Sequence, residues 1–269
     1  MPPLLTKREV WSTWRFEHKY RIPALQYYQI RNAMTPHMEP DEFTVDQGEY
    51  LVRSLYFDTD RYQAYHEKIN GDFGRIKIRV RSYAATHRED APLRVELKTR
   101  RGAAMEKFSS FVPLSSYQAF METGHWPEHE DSSVLTEFAR LYHLRTLRPK
   151  LLIQYQREGL VSRRREDLRI TFDHHVESCS ATEIFPAHTF FRPHHPETVI
   201  LEIKCKNDQP VWLSRLVRQH GLKLVASSKY AMGVEISRPD VVTPMWSQGY
   251  TDPPDKALAM FELKRKQNQ

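Results

Sequence analysis

The chain has 269 residues, 40% hydrophobic and 12% aromatic, and its 40 Lys+Arg against 34 Asp+Glu give a formal net charge of +6. That length suits one large domain or two small ones, and a mean hydropathy of -0.65 with no apolar run near ~20 residues excludes a membrane-spanning helix. Two cysteines, Cys179 and Cys205, make no disulfide scaffold and no C-x-x-C pair and fit a reducing cytosol, and the Met1-Pro2-Pro3-Leu4-Leu5 start lacks a signal-peptide core.

In chain order, residues 14–22 read as a strand, with Arg15, Glu17, Lys19 and Arg21 on one face and Phe16, Tyr20 and Ile22 on the other. Pro23 opens a helix expected to reach about Met38, since proline suits a first helical turn. Tyr50 to Asp58 reads as a strand and 61–68 as a short helix, followed by the turn residues Asn70-Gly71-Asp72-Phe73-Gly74. Strands at 75–83, 92–100 and 106–113 have the tempo of an antiparallel meander. Helices are expected over Ser115–Glu122 and Ser132–His143, strands over 150–158, 167–173 and 198–206, and a helix from Asp208-Gln209-Pro210 to His220, stopped by Gly221. A basic stretch, Lys256 to Lys266, could form a last short helix. The pattern divides the chain into an N-terminal extension (1–13), one domain (14–238) and a C-terminal tail (239–269). Cys205 falls on the apolar face of its strand, where a small buried thiol is ordinary.

The alternation is unusual in what it exposes. Glu17-His18-Lys19, Glu96-Leu97-Lys98 and Glu202-Ile203-Lys204 each set a carboxylate and an ammonium side by side on one strand face. Arg75, Lys77, Arg79 and Arg81 share one face of a fourth strand. Cations two residues apart, ~7 Å at an effective dielectric of ~20, repel by roughly 2 kcal/mol per adjacent pair. Such a face makes sense opposite a polyanion. Arg grips phosphate oxygens bidentately and Lys as a point charge, while interspersed glutamates suit Mg2+ or Mn2+ bridging to phosphate.

These residues carry a resemblance. The order Arg15-Phe16-Glu17-His18-Lys19-Tyr20, Ser54-Leu55-Tyr56-Phe57-Asp58, Arg79-Val80-Arg81-Ser82-Tyr83, Val95-Glu96-Leu97-Lys98, Tyr155-Gln156-Arg157, Leu168 to Asp173, Leu201-Glu202-Ile203-Lys204 and Ser227-Ser228-Lys229-Tyr230 resembles the VTC domain of polyphosphate polymerases, within the triphosphate tunnel metalloenzymes. The resemblance implies an α+β fold: an antiparallel β-barrel tunnel with helices packed around the outside. It implies a phosphotransferase that moves the ATP γ-phosphoryl group onto inorganic polyphosphate in the cytoplasm. It assigns phosphate contact and catalysis to Lys19, Arg79, Arg81, Lys98, Arg157 and Lys229, and further phosphate contact to Arg169. Glu202 is implied as the main ligand of Mn2+ or Mg2+, and Glu17 and Glu96 as further metal-binding or lysine-orienting groups. By position on the same faces, Lys204, Lys77, Arg75 and Tyr83 complete the substrate-binding set. Two departures stand out: Ser82 separates Arg81 from the aromatic Tyr83, and Met105-Glu106-Lys107-Phe108 leaves the role of Lys107 open.

Other signals weigh less. His125-Trp126-Pro127-Glu128-His129 spells a zinc-protease motif, but Pro127 breaks the helix that motif requires. The doublets His174-His175 and His194-His195 read as surface loop histidines. Without a Walker-type glycine loop, a nucleotide would be held by side chains. A triphosphatase on the same tunnel and a polyphosphate-binding module without turnover are the rival readings. A nucleic-acid partner fits less well, for want of aromatic residues interleaved with the cations. The sequence leaves the oligomeric state open.

Overall fold

A computed structural model of the chain describes residues 16–86, 92–102, 104–164, 167–206 and 208–242. The elements run β1 (Phe16–Pro23), α1 (Ala24–Met34), β2 (Met38–Pro40), β3 (Tyr50–Asp58), α2 (Gln63–Ile69), β4 (Gly74–Ser82), β5 (Leu93–Arg101), β6 (Ala104–Val112), α3 (Leu114–Thr123), α4 (Ser133–Leu144), β7 (Arg148–Ser162), β8 (Leu168–Ser180), β9 (Arg192–Pro193), β10 (Thr198–Cys205), α5 (Val211–Gln219), α6 (Lys229–Ser237) and α7 (Pro239–Val242). The fold is α+β. The strands form one antiparallel ten-stranded sheet in the order β1-β10-β8-β7-β3-β4-β5-β6, with β2 and β9 pairing to β7 and β8 off that path.

Residues that face each other across an antiparallel pair share one side of the sheet. The register sets Glu17 against Lys204 and Lys19 against Glu202, Arg157 against Asp173 and Tyr50 against Arg157. It also sets Tyr56 against Arg79, Arg79 against Glu96 and Lys77 against Lys98, and Lys98 against Lys107. The charged positions of successive strands therefore form one continuous face. The opposite face is apolar and carries helices. Over β3 to β6 it packs Leu55, Val80, Val95 and Leu97 against Leu114, Phe120, Leu135 and Phe138 of α3 and α4. Over β1, β10 and β8 it packs Ile22, Leu201, Ile203 and Phe172 against Ile30 and Met34 of α1 and Leu213 and Leu216 of α5.

The charged face is concave. Lys98 on β5 reaches Glu17 on β1, six places away in strand order, at 3.3 Å. At one end this face turns apolar and is filled. Val52, Tyr56, Leu151, Ile153, Tyr155 and Ile200 pack against Ala64 and Tyr65 of α2 and Tyr230, Ala231 and Val234 of α6. Gly233 permits this approach, since a Cβ there would lie 2.7 Å from the Leu151 side chain. Asp58 pins the arrangement by accepting from the backbone N–H of Ala64 (3.0 Å) and from the Tyr230 hydroxyl.

Some expectations are corrected. The sheet is not a closed hydrogen-bonded barrel: β1 and β6 are its two ends and no ladder joins them among the described residues. Alternation fixes which face turns inward, but it does not dictate that the last strand find the first. α1 ends at Met34 rather than near Met38, because Pro36 has no N–H to extend the helical ladder, and Met38 instead enters β2. β7 and β8 run 15 and 13 residues, well past the expected segments. His194 is buried rather than a surface loop residue, with Nε2 2.8 Å from Ser178 Oγ. The N-terminal extension, the strand's expected start at Trp14 and Arg15, and the basic segment Lys256–Lys266 lie outside the described residues.

Candidate functional site

On the β4–β6 side, Glu96 is 1% exposed and ringed by cations. Arg79 Nε and Lys107 Nζ contact its carboxylate, Arg94 Nε lies 3.6 Å away and Arg81 Nη1 3.9 Å. Hydroxyls fix the guanidiniums: Arg79 Nη1 donates to Tyr56 (2.8 Å), Arg81 Nε to Ser54 (3.1 Å) and Arg94 Nη2 to Ser109 (2.9 Å). Burial alone would push the Glu96 carboxyl up. Arg79, Arg81, Lys107 and Arg94 overcome this and hold it well below the usual carboxylate range.

On the β1–β10–β8–β7 side, Asp173 is fully buried. Arg157 grips it with two parallel bonds, Nε to Oδ1 at 2.6 Å and Nη2 to Oδ2 at 2.8 Å, and Lys229 Nζ adds a third at 2.5 Å. Against the desolvation that would raise it, these cations hold Asp173 at about 2. Arg157 Nη2 also lies 3.8 Å from Glu202 Oε2, whose other oxygen pairs with Lys204 Nζ at 3.1 Å. Glu17 binds Lys19 at 2.9 Å and Lys98 at 3.3 Å. Glu17 and Glu202 stand diagonally across the β1–β10 ladder, each directly opposite a lysine of the other strand.

The N-terminus of α6 enters this concavity. Its cap, Ser228, accepts from Ala231 N at 3.2 Å and from Lys77 Nζ at 2.8 Å. Burial, and then the neighbouring cations Lys19 and Lys98, bring the Lys77 ammonium down to about 7, and burial brings Lys107 down to about 7 as well. The helix N-terminus, Lys229 and Lys77 together favour anions. Nearer the opposite end, Arg169 Nη2 pairs with Asp41 Oδ2 at 2.7 Å. Asp41 lies over β7 only because residue 159 is glycine, since a Cβ there would sit 1.9 Å from Asp41 Oδ2.

The structure thus places Glu17, Lys19, Lys77, Arg79, Arg81, Glu96, Lys98, Arg157, Arg169, Glu202, Lys204 and Lys229 on one concave face. Arg75 sits at its margin, bonded to Lys68 O at 3.4 Å, and Tyr83 at its rim, where, against desolvation, the nearby Arg81 helps bring its phenol below the ordinary value. Asp173, Arg94 and Asp41 belong to the same constellation and were absent from the sequence reading. Lys107, left open there, turns inward. Alternation from Arg169 already put Asp173 on the charged face, and alternation from Glu96 did the same for Arg94. Asp41 sits in a loop and gave no periodic signal.

Two carboxylates on neighbouring strands of one buried face repel unless a proton or cation lies between them. Glu17 and Glu202 are therefore a fitting pair of hard oxygen donors for a divalent ion, which commonly takes one or two carboxylates and completes its shell with water and phosphate. No group of three or more His, Cys, Asp or Glu forms an all-protein cage among the described residues. Glu96, surrounded by four cations, is occupied in orienting them.

Comparison with known proteins decides the family. The VTC domain profile matches residues 14–238. The chain belongs to the VTC domain family. No curated protein matches it. Among solved structures, this VTC domain is similar to a candidate adenylate cyclase from Bacillus halodurans, at 13% identity and a TM-score of 0.49 over 80% of this chain and 96% of that one. It is also similar to the PH1819 protein from Pyrococcus horikoshii OT3, at 11% identity and a TM-score of 0.43 over 82% of this chain and 99% of that one. No helix among the described residues is long and apolar enough to cross a membrane.

Proposed function

We propose that this VTC domain is a polyphosphate polymerase that transfers the ATP γ-phosphoryl group to the end of an inorganic polyphosphate chain, in the cytoplasm. The observation that carries this reading is the two-part concave face: a cation wall on β4–β6, and opposite it the Glu17–Glu202 pair among Lys19, Lys98, Lys204 and Arg157. We read the space between them as the tunnel in which phosphates lie.

Phosphoryl transfer between phosphate groups asks little covalent chemistry of a protein. The attacking polyphosphate oxygen is already ionised, so no general base is required, and catalysis rests on alignment and charge. Arg79 and Arg81 are held on one side by Glu96, Tyr56 and Ser54, and Arg157 by Asp173. Their forks are set before substrate arrives, so little reorganisation is needed as charge shifts in the transition state. Lys19, Lys98 and Lys229 sit on carboxylates they can share with a phosphate. Lys77, poised near neutrality, takes up a proton as the anion enters. Glu202 with Glu17 would hold Mn2+ or Mg2+, which would offset the charge that builds on the departing ADP.

One feature favours a second reading. α2 and α6 fill the apolar end of the concavity, and a site with a single mouth suits hydrolysis of ATP or tripolyphosphate better than passage of a lengthening chain. Incubation with ATP and Mn2+, with products resolved by gel, separates the readings. Long anions support the polymerase and orthophosphate alone supports the hydrolase. Binding of polyphosphate with no ATP consumed would leave a binding module.

A further inference from the structure

Three aromatic rings gather at the rim of the charged concavity. Phe43 and Tyr83 lie parallel, with centroids 6.2 Å apart and planes at 5°. Tyr50 leans on both, at 5.5 Å from Phe43 and 6.1 Å from Tyr83. Phe43 stays 51% exposed and Tyr83 39%, although burial of such rings is normally favourable. Each ring stands beside a cation of the site. Tyr83 follows Arg81 by two residues just past the end of β4, and Tyr50 stands directly across the ladder from Arg157. Phe43 donates its backbone N–H at 3.2 Å to Asp41 Oδ1, and Asp41 holds Arg169 through its other oxygen. Arg157 in turn reaches Glu202. A single arginine thus links the aromatic rim to the carboxylate pair.

We infer that this rim is the seat of the nucleobase of a nucleoside triphosphate, with the base stacked on Phe43 and Tyr83 and the phosphates running inward past Arg81 and Arg157. The inference rests on reading the concavity as a phosphate site and adds where the rest of the nucleotide goes. Flat, exposed rings beside arginines match a ligand that is aromatic at one end and polyanionic at the other. Inorganic polyphosphate has nothing to place on them. The rim therefore distinguishes a nucleotide donor from a bare phosphate chain.

The test compares ATP with inorganic tripolyphosphate by calorimetry, metal withheld so that no turnover intervenes, on the wild type and on Phe43→Ala and Phe43→Trp. Phe43 lies on the surface, and a thermal melt confirms that the variants fold. Loss of one stacking partner is expected to weaken ATP binding about tenfold, with tripolyphosphate binding unchanged and ATP affinity restored in Phe43→Trp. Equal weakening of both ligands, or no weakening of ATP, overturns the nucleobase seat while leaving the phosphate site standing. Absence of tripolyphosphate binding in the wild type overturns the phosphate site and the inference with it.

Discussion

Glu96→Gln isolates the tension built into this site. The wild-type carboxylate is buried among Arg79, Arg81, Arg94 and Lys107 and is the counter-charge they share. Gln keeps the shape and deletes the charge. Each contact-distance pair is worth about 4 kcal/mol at an effective dielectric of 20, but much of that offsets desolvation, and breaking a buried pair usually costs about 3–5 kcal/mol. At about 2–4 °C per kcal/mol for a domain of this size, the melting temperature should fall by about 6–20 °C in phosphate-free buffer. The missing charge can be supplied from outside. Tripolyphosphate at a hundredfold excess over its dissociation constant stabilises any binder by about 2.7 kcal/mol, and the variant's unbalanced cations should bind it more tightly than the wild type does. The gap in melting temperature should therefore narrow as tripolyphosphate is titrated in, read by scanning calorimetry. A variant as stable as wild type without phosphate, or a gap indifferent to tripolyphosphate, would refute the claim that Glu96 acts as the counter-charge of a phosphate site.

Glu202→Gln should lower Mn2+-dependent ATP turnover by at least about 100-fold while tripolyphosphate affinity without metal holds or improves; full turnover would remove Glu202 from the metal site. Lys77, brought down to about 7, is protonated below that pH and neutral above it. An entering polyanion raises it again, so tripolyphosphate affinity should fall as pH rises from 6 to 8. Binding at pH 8 should take up protons, about one fewer in Lys77→Met, as measured by calorimetry in buffers of different ionisation enthalpy. Gly159→Ala should displace Asp41 and loosen Arg169, with a stability cost of about 1–3 kcal/mol in urea unfolding.

Strand alternation carried most of the site. Period-two spacing put Glu17 and Lys19, then Arg79 and Arg81, then Glu202 and Lys204 on shared faces, and those faces do turn to one side of one sheet. The repulsion along Arg75 to Arg81 is relieved by the register, which sets Glu96 directly against Arg79 and supplies a counter-charge from the next strand. Asp173 escaped because the sequence shows which residues alternate but not that Arg157 and Lys229, 16 and 56 positions away, converge on one carboxylate. The contribution of α6 was hidden for a related reason. Its residues Tyr230, Ala231 and Val234 read as an ordinary apolar helix face, and only the fold shows that they pack against the concave side rather than the outer one. The loop that carries Asp41 and Phe43 has no period to read.

The gap between β1 and β6 has a consequence for loading. Where amide ladders stop among the described residues, Lys98 and Glu17 span the two sides of the enclosure. A clasp made of side chains can unfasten without unzipping any strand, and a phosphate is a rival for the same ammonium. A long polyanion would then have no need to be threaded by its tip.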